Sequence, residues 1–208
     1  APIRVAVEFL EKRTDAFRGN NQQSLGMMTK WRDLDTFTCG FEAQELVLLA
    51  ARPGAGKTAL ALNVARRLAK QGYAIGIFSM EMSAVQLAVR LICTEARVDS
   101  LRVRSGTLGQ ADIQRFTEAA DHVATLPIYI DDSSQLTPND IRARVSKFKS
   151  RANLDMVIID YLQLMDPGKR FDSSEQAIAH ISKSLKFLAK EMGVCVLALC
   201  QLNRAIEQ

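Results

Sequence analysis

One segment near residue 50 limits the folds available to this chain more than any other feature. An apolar run at 45–51 is joined to a helical pattern at 57–71 by Ala51-Arg-Pro-Gly-Ala-Gly-Lys-Thr58. The Walker A pattern is G-x-x-x-x-G-K-[ST], and the segment departs from it by having alanine at the first position. In such a loop the backbone N–H groups and the following helix N-terminus together surround a phosphate. The segment therefore predicts an α/β fold with a phosphate-binding loop (P-loop).

The residues of this loop have separate predicted roles. Gly54 and Gly56 let the backbone bend so that N–H groups point at phosphate oxygens. Lys57 reaches the β and γ phosphates of a nucleotide, and the Thr58 hydroxyl ligates Mg²⁺. The remaining loop residues assigned to the nucleotide site are Ala51, Arg52, Pro53 and Ala55. We therefore expect ATP and Mg²⁺ as cofactors; the competing interpretation is a chance glycine-rich turn.

The rest of the chain alternates between strand and helix patterns. The candidate strands are 45–51, 74–80, 127–131, 155–160 and 194–200, and the candidate helices are 57–71, 84–96, 110–126, 138–152 and 174–192. Ser83 with Gln86, and Ser173 with Gln176, predict capping boxes at two helix starts. The strand runs are almost continuously apolar, as is typical of parallel strands buried on both faces. The pattern predicts a mainly parallel sheet with helices on both faces.

Composition excludes several classes of protein. Of 208 residues, 48% are hydrophobic, which argues against a disordered chain. No apolar run approaches the roughly 18 residues that span a bilayer, so we predict no membrane association. Four cysteines without a CxxC pair, together with two histidines, do not predict a zinc site. The net charge of +4 permits a polyanionic partner without requiring one.

A P-loop needs a carboxylate at the end of a nearby strand to hold the metal ion. Asp160 and Asp131 both end apolar runs. Asp160 is the first choice because its run is longer and its acid stands alone, whereas Asp131 leads into a Ser-rich turn. Glu81, just after the run 75–80, is a candidate general base that polarises the attacking water. Its competing interpretation is a solvent-exposed acid preceding a helix cap.

Several motifs, taken in chain order, match one known family. The matching segments are 26–35, 50–58, 78–83, 157–164 and 197–204. Together they resemble the C-terminal RecA-like ATPase domain of DnaB-type replicative DNA helicases, whose Walker A motif also starts with alanine. The resemblance implies that Glu81 is the catalytic base and that Asp160 is the Walker B acid. It further implies that Gln201 senses the γ-phosphate and that Arg90 lies near the nucleotide.

The resemblance also implies what the protein acts on. Family members hydrolyse ATP to move a homo-hexameric ring 5′ to 3′ on single-stranded DNA, in partnership with primase and a helicase loader, in the cytoplasm of a bacterial or phage-infected cell. In the family, the loop matching 166–174 faces the central channel, which makes Lys169 and Arg170 the candidate DNA contacts. Without the resemblance, an ordinary solvated basic turn is the favoured interpretation of this loop.

The N-terminal residues form a separate predicted unit. Residues 2–17 have an amphipathic helical pattern, and the polar stretch 19–24 resembles a tether. We assign 1–24 to a linker helix with its tether and 25–208 to a RecA-like ATPase domain. That domain is expected to be incomplete, because later family motifs have no counterpart. The helix docks either on its own domain or, as in the family, on a neighbouring subunit.

Three other functional classes remain open at this stage. One is a related RecA-like ATPase of recombination or signalling, which shares the core but has different loops. Another is a small-molecule kinase, which would need a lid, and no arginine-rich lid segment is seen. The third is a scaffold that binds nucleotide without hydrolysing it. DNA-stimulated ATP turnover separates the helicase hypothesis from the last two.

Overall fold

The computed structural model describes residues 26–202 and, before them, positions 3, 4, 10, 11 and 14. Its strands are β1 (Leu46–Ala51), β2 (Ile75–Ser79), β3 (Ile128–Asp131), β4 (Met156–Asp160) and β5 (Cys195–Gln201). Its longer helices are α2 (Lys57–Ala69), α3 (Ala84–Ala96), α5 (Gln110–Thr125), α6 (Pro138–Ala152) and α7 (Ser174–Met192). Two short helices, α1 (Arg32–Thr38) and α4 (Ser100–Ser105), and a 3-10 turn at Leu162–Leu164 complete the described elements.

The five strands form one parallel sheet in the order β1-β5-β4-β2-β3. Parallel strands end at the same edge of a sheet, which is where ligands bind in open α/β folds. At this edge the P-loop follows β1, Gln201 ends β5, Asp160 ends β4, and Glu81 comes two residues after β2. The predicted parallel α/β fold is confirmed, and its topology collects the predicted site residues at one edge.

Both faces of the sheet are covered by helices. Successive strand residues alternate between the two faces, so that Ile77 packs with Leu68 of α2 on one face, while Phe78 packs with Ile141 of α6 on the other. Helix α3 shares the first face and α7 shares the second. Full burial of a large aliphatic or aromatic side chain stabilises a fold by about 1.5–3 kcal/mol, so both faces contribute to holding the sheet.

The two predicted capping boxes have different outcomes. At the start of α3, Ser83 accepts from the Gln86 N–H and Gln86 Oε1 accepts from the Ser83 N–H, so that box is confirmed. At the start of α7, the Ser173 hydroxyl accepts from the Gln176 N–H at 3.3 Å, but the reciprocal bond is not made. The predicted start of α7 and its Ser173 cap are therefore confirmed, but the predicted bond from the Gln176 side chain is wrong.

The segment that precedes β1 is fastened to α2. Met27 and Phe41 exchange two backbone hydrogen bonds of 2.8 and 3.0 Å, which close the segment on itself. From α2, Arg67 donates to the Thr29 carbonyl at 3.1 Å, and its guanidinium lies 4.6 Å from the centre of the Trp31 ring. The helix that begins at the P-loop thus also carries the segment by which the chain enters the sheet.

The predicted N-terminal helix and tether lie mostly outside the described residues. The described positions within 2–17 are helical, and two residues assigned to its apolar face, Ile3 and Leu10, are exposed. Among the described residues, no helix has both the length and the apolar composition needed to cross a membrane.

Candidate functional site

A cleft of about 320 Å³ opens at the carboxyl edge of the sheet. It is lined by Arg52, Pro53, Gly54, Gly56, Lys57, Thr58, Ala59, Glu81, Met82, Arg90 and Gln201. All of these except Ala59 and Met82 are residues that the sequence nominates. Of the other nominated loop residues, Ala51 ends β1 and Ala55 lies in the loop, and neither lines the cleft. One cavity therefore collects side chains from the P-loop, the segment after β2, helix α3 and the end of β5.

The backbone of the P-loop is shaped to receive an anion. Gly54 and Gly56 have φ of +76° and +93°, and a β-carbon at either would have no heavy atom within 4 Å. The dihedral angles, rather than lack of space, therefore require glycine. In the described structure, the first backbone bond into α2 runs from the Leu60 N–H to the Gly56 carbonyl, leaving the N–H groups of residues 56–59 without a backbone acceptor. These N–H groups and the helix dipole favour negative charge at this point.

The Lys57 ammonium lies between two strand ends. Its Nζ donates to the Cys200 carbonyl at 3.0 Å and lies 5.2 Å from the centre of the Tyr161 ring. Cys200 precedes Gln201 at the end of β5, and Tyr161 directly follows Asp160. These two contacts hold the lysine charge at the cleft. A phosphate oxygen could replace the Cys200 carbonyl as the acceptor for Lys57.

Below the cleft, Thr58 and Asp160 join the P-loop to β4. The Thr58 hydroxyl donates to Asp160 Oδ2 at 2.8 Å, and Asp160 is only 3% exposed. Its other oxygen, Oδ1, is buried and has no hydrogen-bond partner among the described residues. Burial raises the pKa of Asp160 above its usual range, against the opposing effects of the Thr58 hydrogen bond and the charges of Lys57 and Arg90.

This donor set fits a magnesium ion. Mg²⁺ prefers oxygen ligands and is usually bound by one or two carboxylates together with waters and substrate phosphates. Asp160 and Thr58 offer a carboxylate and a hydroxyl side by side, and a buried carboxylate oxygen without a partner is uncommon in folded proteins. A divalent cation would satisfy that oxygen and offset the cost of burying the charge.

Asp131, the reserve candidate for the metal, is engaged elsewhere. It ends β3 at the far edge of the sheet from β1, where it forms an ion pair with Arg144 and accepts from the Ser133 N–H at 3.0 Å. Burial raises the pKa of Asp131, but the bonds from Arg144 and Ser133 outweigh it and lower the pKa overall. This geometry favours Asp160 over Asp131 as the metal acid.

Glu81, Arg90 and Gln201 complete the walls of the cleft. Glu81 is exposed, and within the described part of the chain no hydrogen bond or ion pair engages its carboxylate. Gln201 lines the cleft between the P-loop and Asp160, because β5 lies between β1 and β4 in the sheet. Arg90, the seventh residue of α3, lines the cleft from that helix. With Arg52 and Lys57 included, the cleft offers a carboxylate, an amide and three cationic residues to one bound molecule.

The candidate DNA contacts are not part of this cleft. Lys169 and Arg170 are exposed in the loop between the 3-10 turn and α7. The loop turns at Gly168, whose N–H donates to Asp166 Oδ1 at 2.8 Å and whose φ is +77°. Lys169 Nζ lies 5.1 Å from the centre of the Phe171 ring, which leaves the basic groups at the surface.

Two residues that the sequence does not single out also contact the site. Tyr161 lies beside the Lys57 ammonium, and Gln163 forms hydrogen bonds with the backbone of Gln201. Both residues lie within the matching segment 157–164, but neither belongs to a loop signature or a spaced acid pair, so spacing alone does not nominate them.

Comparison with known proteins gives one consistent family. The model of the DnaB-like helicase C-terminal domain matches residues 26–208. The replicative DNA helicase DnaB of Geobacillus stearothermophilus is 42% identical over 185 residues, which cover 88% of this chain and 41% of that protein. The DnaB of Leifsonia xyli subsp. xyli is 39% identical over all 208 residues and 46% of its own length. The chain thus spans less than half the length of these relatives.

Solved structures agree with the sequence relatives. A DnaB-like replicative helicase, described with its interactions with primase, has a TM-score of 0.83 and 32% identity over 88% of this chain and 45% of that one. The ATPase domain of G40P has the same TM-score and identity, over 88% of this chain and 66% of its own. These likenesses confirm the expected RecA-like architecture for the described sheet and helices.

Proposed function

Since the chain belongs to the DnaB-like helicase C-terminal domain family, we propose that it is the ATP-hydrolysing motor domain of a replicative DNA helicase. We assign that domain to residues 25–208 and a linker helix with its tether to 1–24. The observation that carries the proposal is the cleft in which the P-loop, Glu81, Arg90 and Gln201 meet. The test is ATP turnover by the chain, with and without single-stranded DNA, against a Lys57→Ala variant.

Nucleotide binding rests on the P-loop and Asp160. The free N–H groups of residues 56–59 donate to the phosphate oxygens, and Lys57 exchanges the Cys200 carbonyl for phosphate oxygens. Asp160 and Thr58 would hold Mg²⁺, which when bound supplies positive charge to the phosphate oxygens. Asp160 has to be ionised for that role, so its raised pKa links metal binding to pH.

Hydrolysis requires a residue that orients water opposite the leaving group. Glu81 fits this role, because its carboxylate lines the cleft and is not engaged by another described side chain. Gln201 lines the same cleft, and in this proposal it donates to the γ-phosphate and responds to its loss. Arg90 adds positive charge from the same subunit, and in motors of this kind a basic finger from a neighbouring subunit adds more.

Single-stranded DNA is the proposed polymer substrate. Lys169 and Arg170 are exposed on a loop that starts directly after the metal-acid strand and its turn, and they suit contacts to phosphates. Contacts of this type carry little sequence preference and depend steeply on salt.

Assembly and partners follow from the family. We propose that the full protein forms a homo-hexameric ring, moves 5′ to 3′, works with primase and a helicase loader, and resides in the cytoplasm of a bacterial or phage-infected cell. One structural relative was described with its interactions with primase, which supports that partner. The proposal places the helix at 2–17 on a neighbouring subunit, where its apolar face would be buried. Directional strand displacement by the full-length protein distinguishes this function from that of a recombinase.

A further inference from the structure

The last residues of β5 are paired with a neighbouring strand on one side only. Backbone pairing between β4 and β5 runs from Met156 opposite Cys195 to Ile159 opposite Ala198. On the other side, β1 continues beside β5 as far as Gln201. The last residues of β5 are therefore paired with β1 alone, because β4 turns away into the 3-10 turn.

The side chain of Gln163 binds the backbone of β5 on the side where β4 no longer pairs with it. Its Nε2 donates to the Gln201 carbonyl at 2.8 Å, and its Oε1 accepts from the Gln201 N–H at 3.2 Å. Nε2 also lies 3.2 Å from Cys200 Sγ. One side-chain amide thus binds both backbone groups of a single residue, as a neighbouring strand would.

The same short stretch of β5 is held from the nucleotide side. Lys57 Nζ donates to the Cys200 carbonyl at 3.0 Å, and the Gln201 side chain lines the cleft. Phosphate oxygens are stronger acceptors for an ammonium than a peptide carbonyl, because the bond is then charged on both sides. A bound triphosphate therefore competes with Cys200 for Lys57, and the end of β5 loses one of its restraints.

Gln163 also lies on the path to the basic loop. It is three residues after Asp160, in a turn whose neighbours Leu162 and Met165 are buried in the core. The next residues form the loop 166–174, which carries Lys169 and Arg170. Movement at the end of β5 would reach this loop through the Gln163 side chain.

We propose that Gln163 is a positioning residue that transmits occupation of the nucleotide cleft to the basic loop 166–174. The proposal rests on the proposed function, because it assumes that the cleft binds nucleotide. It assigns no contact with nucleotide or DNA to Gln163. The coupling works in both directions, so DNA bound at the loop would alter nucleotide affinity through the same residue.

The test compares the wild-type chain with Gln163→Met, which keeps the length of the side chain and removes its hydrogen bonds to Gln201 and Cys200. Hydrogen–deuterium exchange of residues 166–174 is measured with and without the slowly hydrolysed analogue ATPγS. A separate titration measures affinity for the same analogue. Gln114→Met, which makes the same change at an exposed glutamine bonded to Glu118 on α5, is the matched control.

We expect the analogue to change exchange in the wild-type loop, and Gln163→Met to reduce that change by about twofold to thirtyfold while affinity is kept. The control should behave as wild type. The inference is overturned if the wild-type loop does not respond to bound analogue, or if Gln163→Met responds fully. Failure of the wild-type chain to bind any nucleotide overturns the proposed function, and the titration identifies that outcome by itself.

Discussion

The Thr58 hydroxyl donates a 2.8 Å hydrogen bond to Asp160 Oδ2, although the two residues are 102 positions apart in the chain. The bond closes the P-loop onto the end of β4 and leaves the second carboxylate oxygen of Asp160 buried without a partner among the described residues. In this arrangement the ionised carboxylate of Asp160 is buried at a cost in free energy, and a bound cation would offset that cost.

Asp160→Asn should separate stability from activity. Magnesium-dependent turnover is expected to fall by at least about 100-fold, because the metal loses its carboxylate. The pKa of Asp160 is raised in the folded state, so its ionisation above the ordinary pKa of 3.8 costs stability that an amide does not cost. The variant should therefore unfold at the same or a higher urea concentration than wild type at pH 7. A clear loss of stability would contradict the assigned cost of the buried charge.

The raised pKa of Asp160 also predicts how magnesium binding depends on pH. Protons and the cation compete for one carboxylate, so magnesium affinity should weaken as the pH falls toward that pKa. The weakening should begin at a higher pH than it would for an ordinary aspartate. Magnesium titrations of the nucleotide-bound chain across pH 4–8 would measure it, and an affinity independent of pH across that range would argue against Asp160 as the ligand.

Glu81→Gln should retain nucleotide binding and lose hydrolysis. Removal of a general base slows turnover by about 10²- to 10⁴-fold, while the P-loop contacts to phosphate remain. Single-turnover ATPase assays and an affinity titration separate the two effects. Glu118→Gln on α5 changes an exposed carboxylate outside the cleft and should match wild type. Normal turnover by Glu81→Gln would show that another group orients the water.

Lys169→Ala with Arg170→Ala should weaken binding of single-stranded DNA without altering its sequence preference. Each lost phosphate contact lowers the slope of log affinity against log salt by about 0.7, so the double variant should lose about 1.4. Lys147→Ala, an exposed lysine on α6, is the control. An unchanged slope would exclude this loop as the DNA contact.

Glu95 provides a stability prediction away from the cleft. Burial raises the pKa of Glu95, but hydrogen bonds from Lys70, Arg66 and His122 have the larger, opposite effect and bring the pKa down to about 2. The stabilisation is present above the ordinary pKa of 4.5 and is lost as the pH falls toward about 2. Glu95→Gln should therefore lower the free energy of unfolding by about 1–3 kcal/mol at pH 7. Urea denaturation should show that the difference shrinks below pH 4; a constant difference would contradict it.

The sequence predicts the sheet and the long helices well because their signals are local. The bounds of α3, α6 and α7 agree with the predicted ranges. Ser83 and Ser173 cap the starts of α3 and α7, and α6 starts with Thr137 as its cap and Pro138 as its first residue. Helix α2 ends at Ala69 rather than at residue 71, within the variation expected of a fraying end. The short helices α1 and α4 were not predicted, because six or seven residues are too few to show a periodicity.

The site was predictable to the extent that its chemistry follows fixed spacing. Lys57 and Thr58 come from the P-loop pattern, and Asp160 comes from an acid at the end of an apolar run. The parts played by Tyr161 and Gln163 depend on where β4 separates from β5 and on which carbonyl Lys57 reaches. Those relationships arise from tertiary packing, so no pattern within a single segment contains them.

The attachment of the first described segment to α2 has a mechanical consequence. Arg67, near the end of α2, contacts Thr29 and Trp31. The same helix begins at Lys57, in the P-loop. A pull exerted on the polypeptide ahead of residue 26 would first meet the Met27–Phe41 hydrogen bonds and would then reach that helix through Arg67. Force applied to this segment would in this way reach the P-loop without any direct contact at the cleft.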